Sequence, residues 1–270
     1  MEIYVYKKYH HGGICMKPLL DITDVCLSYH SLSGETPALS HISFQLMPGE
    51  FLAIVGPSGC GKSTLLNLIS GLIRPEQGKI LLDGRPVSAG DRRIGYMLQK
   101  DHLLEWRTIY KNVLLGLEIR KELTDEKLLY VDQLLLDYGL DKFRFAHPSQ
   151  LSGGMRQRAA LIRTLALKPD LLLLDEPFSA LDYQTRLNVS DDIGRILRQE
   201  QKTAILVTHD ISEAISMADR VIILSSRPAI IRKIIPIIFD MENRTPMASR
   251  NAPDFKTYFN LIWKELNHDA

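Results

Sequence analysis

The stretch Gly56-Pro57-Ser58-Gly59-Cys60-Gly61-Lys62-Ser63 decides how this chain is read. Two glycines spaced across four residues, then a lysine and a hydroxyl residue, form a phosphate-binding loop pattern. Residues 51–55 before it are a continuous apolar run, as in a strand buried on both faces. Residues 63–73 after it, beginning with Ser63 and Thr64, have helical periodicity. The motif needs this strand–loop–helix setting. Glycines let the backbone curl until successive N–H groups face phosphate oxygens. The helix N-terminus adds its positive dipole end. Lys62 is expected to bridge the β- and γ-phosphates of ATP, and Ser63 to ligate Mg²⁺. The spacing arises by chance in on the order of 1% of chains this long, and its context makes chance a weaker account still.

Outward from the loop, residues 20–29 and 39–46 alternate apolar and polar positions, as half-buried antiparallel strands do. Residues 33–37, Ser-Gly-Glu-Thr-Pro, read as the turn between them. Residues 79–82 and 94–98 read as further strands. Helical patterns then dominate at 109–119, 125–140 and 153–167. Strand signals return at 171–174, 203–207 and 221–224, with helices between them. A β–α alternation interrupted by helices predicts an α/β fold with a mostly parallel sheet, an antiparallel β-subdomain and a helical insert. The expected division is an N-terminal extension of poor order at 1–18, a domain at 19–235 with its helical subdomain at about 101–165, and a tail at 236–270. In the tail, Phe255, Phe259, Ile262 and Leu266 would share one face of a helix over 254–266.

The 270 residues are 45% hydrophobic and 24% charged, an ordinary globular composition. A formal net charge of +1 gives no basic footprint for nucleic acid. Cys15, Cys26 and Cys60 are odd in number and match no metal spacing, which favours a reducing cytoplasm over a disulfide framework. The N-terminus lacks the apolar core of a secretory signal, and the sequence leaves Met16 open as a second start position. The most apolar stretch, 221–239, is broken by Arg227, Arg232, Lys233 and two prolines, so it reads as two short buried strands, not a membrane span.

Two more segments carry chemistry. Residues 171–174 form an apolar run that ends in Asp175 and Glu176. Carboxylates at the C-terminal edge of a parallel strand lie where such sheets bind ligands. Asp175 is expected to hold Mg²⁺, and Glu176 to orient or deprotonate the attacking water. Such acids are usually just a strand reaching the surface, and the phosphate loop tips that balance. Leu151-Ser152-Gly153-Gly154-Met155 opens an arginine-rich helix and offers a second anion site. Alone it is an N-cap with a flexible turn. One lysine-bearing loop needs no second phosphate site for its own nucleotide. A homodimer explains both, with Ser152, Gly153 and Gly154 facing the γ-phosphate held by the other subunit.

Together, the loop, the Leu151–Met155 segment, Asp175-Glu176-Pro-Phe-Ser-Ala-Leu-Asp182 and Val207-Thr-His209-Asp resemble the ATPase subunits of ATP-binding-cassette (ABC) transporters. The resemblance covers residues 19–231, with every element in the family's order. It implies the family's P-loop NTPase core. By resemblance, Gln99 is the glutamine that reaches Mg²⁺ and the attacking water, and His209 is the switch histidine near the γ-phosphate. Asp182 is the aspartate at the dimer seam, and Tyr29 the aromatic that stacks on adenine. Each has a plainer role: a surface glutamine, a solvent-facing histidine, a helix cap, a packing tyrosine. His30 and Tyr6 compete with Tyr29.

A finer resemblance runs through residues 55–67, Leu103-Leu-Glu105-Trp106-Arg-Thr and Leu151-Ser-Gly-Gly-Met155-Arg-Gln-Arg. These are similar to the importer subgroup for nitrate, sulfonates and taurine, whose relatives handle thiamine precursors. Met155 stands where the broader family has glutamine, and Glu105 where the subgroup often has proline. The resemblance implies a peripheral subunit on the cytoplasmic face of the membrane, bound to a permease and indirectly to an extracytoplasmic substrate-binding protein. Trp106 is either a contact for that permease or a core residue of the helical subdomain. An ABC ATPase acting on a soluble partner is the alternative, but such chains usually carry tandem cassettes, coiled coils or basic arms. A regulator that binds without hydrolysing would normally lack Glu176 or His209.

Overall fold

The computed structural model describes residues 17–32 and 34–267. Cys15, Met16, Tyr6 and most of the expected 1–18 extension lie outside them. A six-stranded sheet runs through the centre. Its strands are β3 (Phe51–Val55), β6 (Ile94–Met97), β7 (Leu171–Asp175), β8 (Thr203–Val207), β9 (Arg220–Leu224) and β10 (Ile231–Pro236). Their order is β10-β9-β3-β8-β7-β6, all parallel except the edge strand β10, which is antiparallel to β9. Strands β3, β7 and β8 are buried along their full length, which explains their unbroken apolar runs.

A second, antiparallel sheet has the order β2-β1-β4-β5, with β1 Leu20–Ser31, β2 Gly34–Leu46, β4 Gln77–Leu82 and β5 Arg85–Pro86. Pleat alternation divides β3 between two cores. Leu52 and Ile54 join the core shared with this antiparallel sheet and with α1 (Lys62–Ile69). Phe51, Ala53 and Val55 face the opposite core, built with α2 (Ile109–Arg120), α3 (Asp125–Asp137), α4 (Gly153–Leu165), α5 (Tyr183–Gln199) and α6 (Ile211–Met217). The helix α1 thus lies between the two sheets, with Leu65, Leu66, Leu68 and Ile69 all buried.

Several sequence expectations change. Residues read as a turn at 34–37 are strand: Tyr29 pairs with Thr36 and His30 with Glu35, so the hairpin is longer and its bend tighter. The first helix ends at Ile69 rather than 73, because Gly71 turns to φ +73 and Leu72 faces solvent. The helix read over 125–140 stops at Asp137, before Gly139 at φ +68. Strand β6 ends at Met97, one residue early. Of the two strands read in 221–239, β9 is buried but β10 is largely half-exposed, as befits an edge.

The tail contains α7 (Pro246–Arg250) and α8 (Phe255–Leu266). On α8, Ile262 is fully buried while Phe255, Phe259 and Leu266 pack partly buried on the helical core. Arg244 fastens this segment. Its guanidinium donates to the carbonyls of Ile215 (3.0 Å), Ala218 (2.6 Å) and Ile237 (3.3 Å), and lies over the Phe239 ring. Burial pulls the Arg244 pKa down to about 10, so the group stays a cation at neutral pH.

Candidate functional site

Four neighbouring strands of the parallel sheet deliver the site. In sheet order β3, β8, β7, β6, their C-terminal ends lead into the loop at Gly56, the His209 turn, Glu176 and Gln99. Register keeps the ends level: Ile54 lies beside Val207, and Val207 beside Asp175. Residues far apart in sequence therefore meet at one edge, where open α/β sheets hold ligands.

The loop is built around Lys62. Its Nζ is buried and donates to the carbonyls of Gly56 and Pro57, both at 2.8 Å, with Cys60 Sγ at 3.9 Å. No carboxylate among the described residues pairs with it. A buried cation costs several kcal/mol unless an opposite charge compensates it, so the pocket is matched to an anion. Gly61 sits at φ +121, where an added Cβ would meet Leu39 Cδ2 at 3.0 Å, so only glycine fits both the bend and the space. It opens α1 with no side-chain cap, so no side chain competes for the first amides of the helix at the cap position. Arg227 Nη2 braces the loop from outside by donating to the Gly59 carbonyl at 2.7 Å. Ser58 and Gly59 are exposed, whereas Cys60 is buried and its thiol pushed up by burial, hence protonated and unreactive.

Ser63 Oγ donates to Asp175 Oδ1 at 3.3 Å. Tyr96 Oη approaches Asp175 Oδ2 at 3.5 Å and Asn67 Oδ1 at 3.2 Å. Burial raises the Asp175 pKa, and the Ser63 hydrogen bond opposes that shift. A hydroxyl and a buried carboxylate are hard oxygen donors suited to Mg²⁺, which keeps waters and phosphate oxygens as its other ligands. Consistent with so few protein ligands, no group of three or more His, Cys, Asp or Glu among the described residues is placed to hold a metal ion.

Glu176 is the meeting point. Gln99 Nε2 donates to Glu176 Oε2 at 3.2 Å, and His209 Nδ1 lies 3.2 Å from the same oxygen. The Glu176 backbone is left-handed, φ +45, and its N–H is held by the Val207 carbonyl at 2.8 Å. This bend turns the side chain off the strand axis toward its neighbours. Tyr29 is 44% exposed and its hydroxyl lies 3.1 Å from Thr64 Oγ1, which ties β1 to the start of α1. His30 is engaged elsewhere, 2.7 Å from Glu76 Oε1.

The Ser152 segment is separate. Ser152 is exposed and caps α4 by accepting from Met155 N at 3.4 Å. No hydrogen bond or ion pair among the described residues joins Ser152, Gly153 or Gly154 to Lys62, Ser63, Asp175 or Glu176. Gly154 is buried where α4 crosses α5, and an added Cβ would meet Thr185 Cγ2 and Val189 Cγ2 at 3.0 Å. Asp182 is exposed and caps α5 through Thr185 N at 3.0 Å, and hydrogen bonds from the Thr185 hydroxyl and then its amide lower the Asp182 pKa.

Comparison with known proteins settles the family. The ABC transporter family model matches residues 39–179, a span that holds the loop, the Ser152 segment and both carboxylates. The chain belongs to the ABC transporter ATPases. It is 48% identical over 248 residues to the uncharacterized ABC transporter ATP-binding protein YtlC of Bacillus subtilis, covering 92% of this chain and 95% of that one. It is 37% identical over 250 residues to the aliphatic sulfonates import ATP-binding protein SsuB of Bacillus cereus, covering 92% and 96%. Its fold superposes with TM-score 0.70 on the ATP-binding cassette MJ0796, solved as a dimer in a post-hydrolysis state bound to ADP and Pi, at 30% identity over 81% of this chain and 99% of that one. The protein is therefore an ATP-binding ABC ATPase with the family's P-loop fold. No helix among the described residues is long and apolar enough to cross a membrane.

Sequence reading passed over Tyr96, Thr208, Glu213 and Arg227, all of which brace the site. For Tyr96 and Thr208 a signal existed. Tyr96 precedes Gln99 by three residues at a strand end, and Thr208 adjoins His209. Arg227 reaches Gly59 across 168 residues of sequence, which no local pattern encodes.

Proposed function

We propose that this ABC ATPase powers a membrane importer for a small molecule of the nitrate, sulfonate, taurine or thiamine-precursor kind. The observation that carries the chemistry is the convergence of Gln99 and His209 on one oxygen of Glu176, beside the Ser63–Asp175 pair. The amides of 56–63 and the Lys62 ammonium bind the ATP phosphates, with Ser63 and Thr64 at the helix start. Ser63, Asp175 and Gln99 hold Mg²⁺, which when bound neutralises charge on the transferring phosphate. Glu176 accepts a proton from the attacking water as general base. His209 holds the γ-phosphate end, and Tyr29, with its exposed ring, stacks on adenine.

A second copy completes the site. Ser152, Gly153 and Gly154 of one subunit face the phosphates held by the other, and Asp182 lies at the seam. The dimeric MJ0796 cassette supports this reading. The import reading rests on the SsuB relative and on two exposed aromatics of the helical subdomain, Trp106 and Phe145, each 76% exposed. They occupy adjacent segments: His147 Nδ1 donates to the Glu105 carbonyl at 3.2 Å, and Ile109 N to that of Ala146 at 2.8 Å. Exposed aromatics anchor interfaces. On this reading they are the surface offered to a permease, and the protein works at the cytoplasmic face of the membrane. The permease and its extracytoplasmic binding protein select the cargo.

The test is affinity capture from detergent-solubilised cells using a tagged chain. We expect an integral membrane protein to co-purify, and Trp106→Ala to lose it while basal ATPase activity persists. Recovery of ribosomes or another soluble assembly instead would favour an ABC ATPase with a soluble partner.

A further inference from the structure

His209 is exposed, but the turn that carries it is fixed from beneath. Its two neighbours point inward. Thr208 is 1% exposed and donates its hydroxyl to Glu213 Oε2 at 2.6 Å. The same hydroxyl oxygen accepts Asp210 N at 3.0 Å, so one side chain bridges both flanks of His209. Asp210 in turn caps α6, accepting Ser212 N at 2.7 Å and Glu213 N at 3.2 Å. Glu213 is 3% exposed and sits in the first turn of α6. From α5, Arg186 reaches across: Nη1 lies 3.5 Å from Asp210 Oδ2 and Nε 3.9 Å from Glu213 Oε1, while Nη2 donates to the Leu181 carbonyl at 3.1 Å. Leu181 immediately precedes Asp182.

We infer that Glu213 is a positioning residue for hydrolysis, acting through Thr208 to hold the His209 turn against Glu176, with Arg186 tying that turn to the helix Asp182 caps. The inference rests on the proposed role of His209. A buried carboxylate is costly unless it is paired or hydrogen-bonded. Here it accepts the Thr208 hydrogen bond and draws in Arg186, and neither group touches the Lys62 loop. Burial pushes the Glu213 pKa up to about 6, so it is ionised at neutral pH and accepts from Thr208 as a carboxylate. The arrangement couples two parts of one subunit. A shift of the His209 turn pulls on Arg186, and through the Leu181 carbonyl on the segment leading to Asp182.

The test uses steady-state ATPase kinetics of the full chain and NMR of the His209 ring. Thr208→Val keeps the shape of the side chain and removes its hydroxyl, leaving a buried acceptor short of a donor. We expect kcat to fall about tenfold with KM for ATP changed less than about twofold. Glu213→Ala should lower kcat at least as far, since it also removes the Arg186 contact, and the double variant should be no worse than Glu213→Ala alone, in which the Thr208–Glu213 hydrogen bond is already gone. Glu213→Gln keeps an acceptor oxygen and should restore most of kcat. The His209 ring resonances should shift in Thr208→Val and Glu213→Ala and return toward wild type in Glu213→Gln. His209→Ala serves as the control on the underlying reading. Wild-type kcat in that variant overturns the role of His209 and this inference with it. A disabled His209→Ala beside a fully active Thr208→Val overturns the positioning role alone. If Glu213→Ala does not fold, Thr208→Val and Glu213→Gln decide the matter.

Discussion

Two helices of this protein begin beside glycines, and their N-termini are built in opposite ways. At α1, Gly61 provides no side-chain cap and the first residue of the helix is the buried Lys62. At α4, Ser152 supplies its own cap to Met155 N and remains exposed. The first terminus has no side-chain cap and a buried cation whose direct partners are two carbonyls of the loop. The second is largely satisfied within the chain and presents its hydroxyl outward. A helix start that lacks a cap and holds a buried charge is built around a ligand. One that caps itself can fold without a ligand and meet one later, from another molecule.

The comparison can be broken most decisively at Glu176, which lies beside the first terminus. Glu176→Gln keeps the hydrogen-bond reach toward Gln99 and removes the base, so kcat for ATP hydrolysis should fall by about 10³. ATP should still bind, and sedimentation should reveal an ATP-dependent dimer. Full activity in that variant would end the assignment of Glu176 as base. Next in size is Lys62→Ala. It removes charge-assisted contacts each worth roughly 1.5–3 kcal/mol, so ATP affinity measured by calorimetry should drop at least about tenfold.

Gly61→Ala probes the backbone of the same terminus. A methyl group at φ +121 strains the backbone, and the Leu39 methyl 3.0 Å away must give way to it. We expect a loss of roughly 1–3 kcal/mol in stability by urea unfolding, together with weakened ATP binding. The smallest intrinsic effect belongs to the second terminus. Ser152→Ala should cost about 1 kcal/mol of helix capping and leave ATP affinity of the monomer unchanged. Dimer-dependent ATPase activity should nonetheless decline about tenfold. A matching loss of monomer affinity would mean that Ser152 serves the nucleotide of its own chain.

The first terminus was legible in the sequence because its signals are contiguous: an apolar run, glycines at fixed spacing, a lysine, then helical periodicity. The parallel sheet was legible for the same reason, since buried strands write unbroken apolar runs. The convergence on Glu176 was not. Gln99, Glu176 and His209 end three different strands, and only sheet order and register bring them within 3.2 Å. The roles of Gln99 and His209 came from resemblance rather than from spacing, whereas that of Glu176 was read from its place at a strand end. Residues 34–37 were misread because glycine and proline signal turns locally, whereas pairing with β1 decides the outcome on an edge strand. Arg244 carried no signal at all, since carbonyls as partners leave no mark on side-chain patterns.

The left-handed backbone at Glu176 has a consequence for laboratory evolution. A glutamate at φ +45 is strained by on the order of 1 kcal/mol relative to glycine or asparagine, which adopt that region readily. Selection for heat resistance or soluble expression alone would therefore reward replacing the one carboxylate that Gln99 and His209 both address. Among the described residues seven other non-glycine positions share this backbone, but position 176 is the one where such drift in libraries screened without a hydrolysis readout should yield well-behaved, inert proteins.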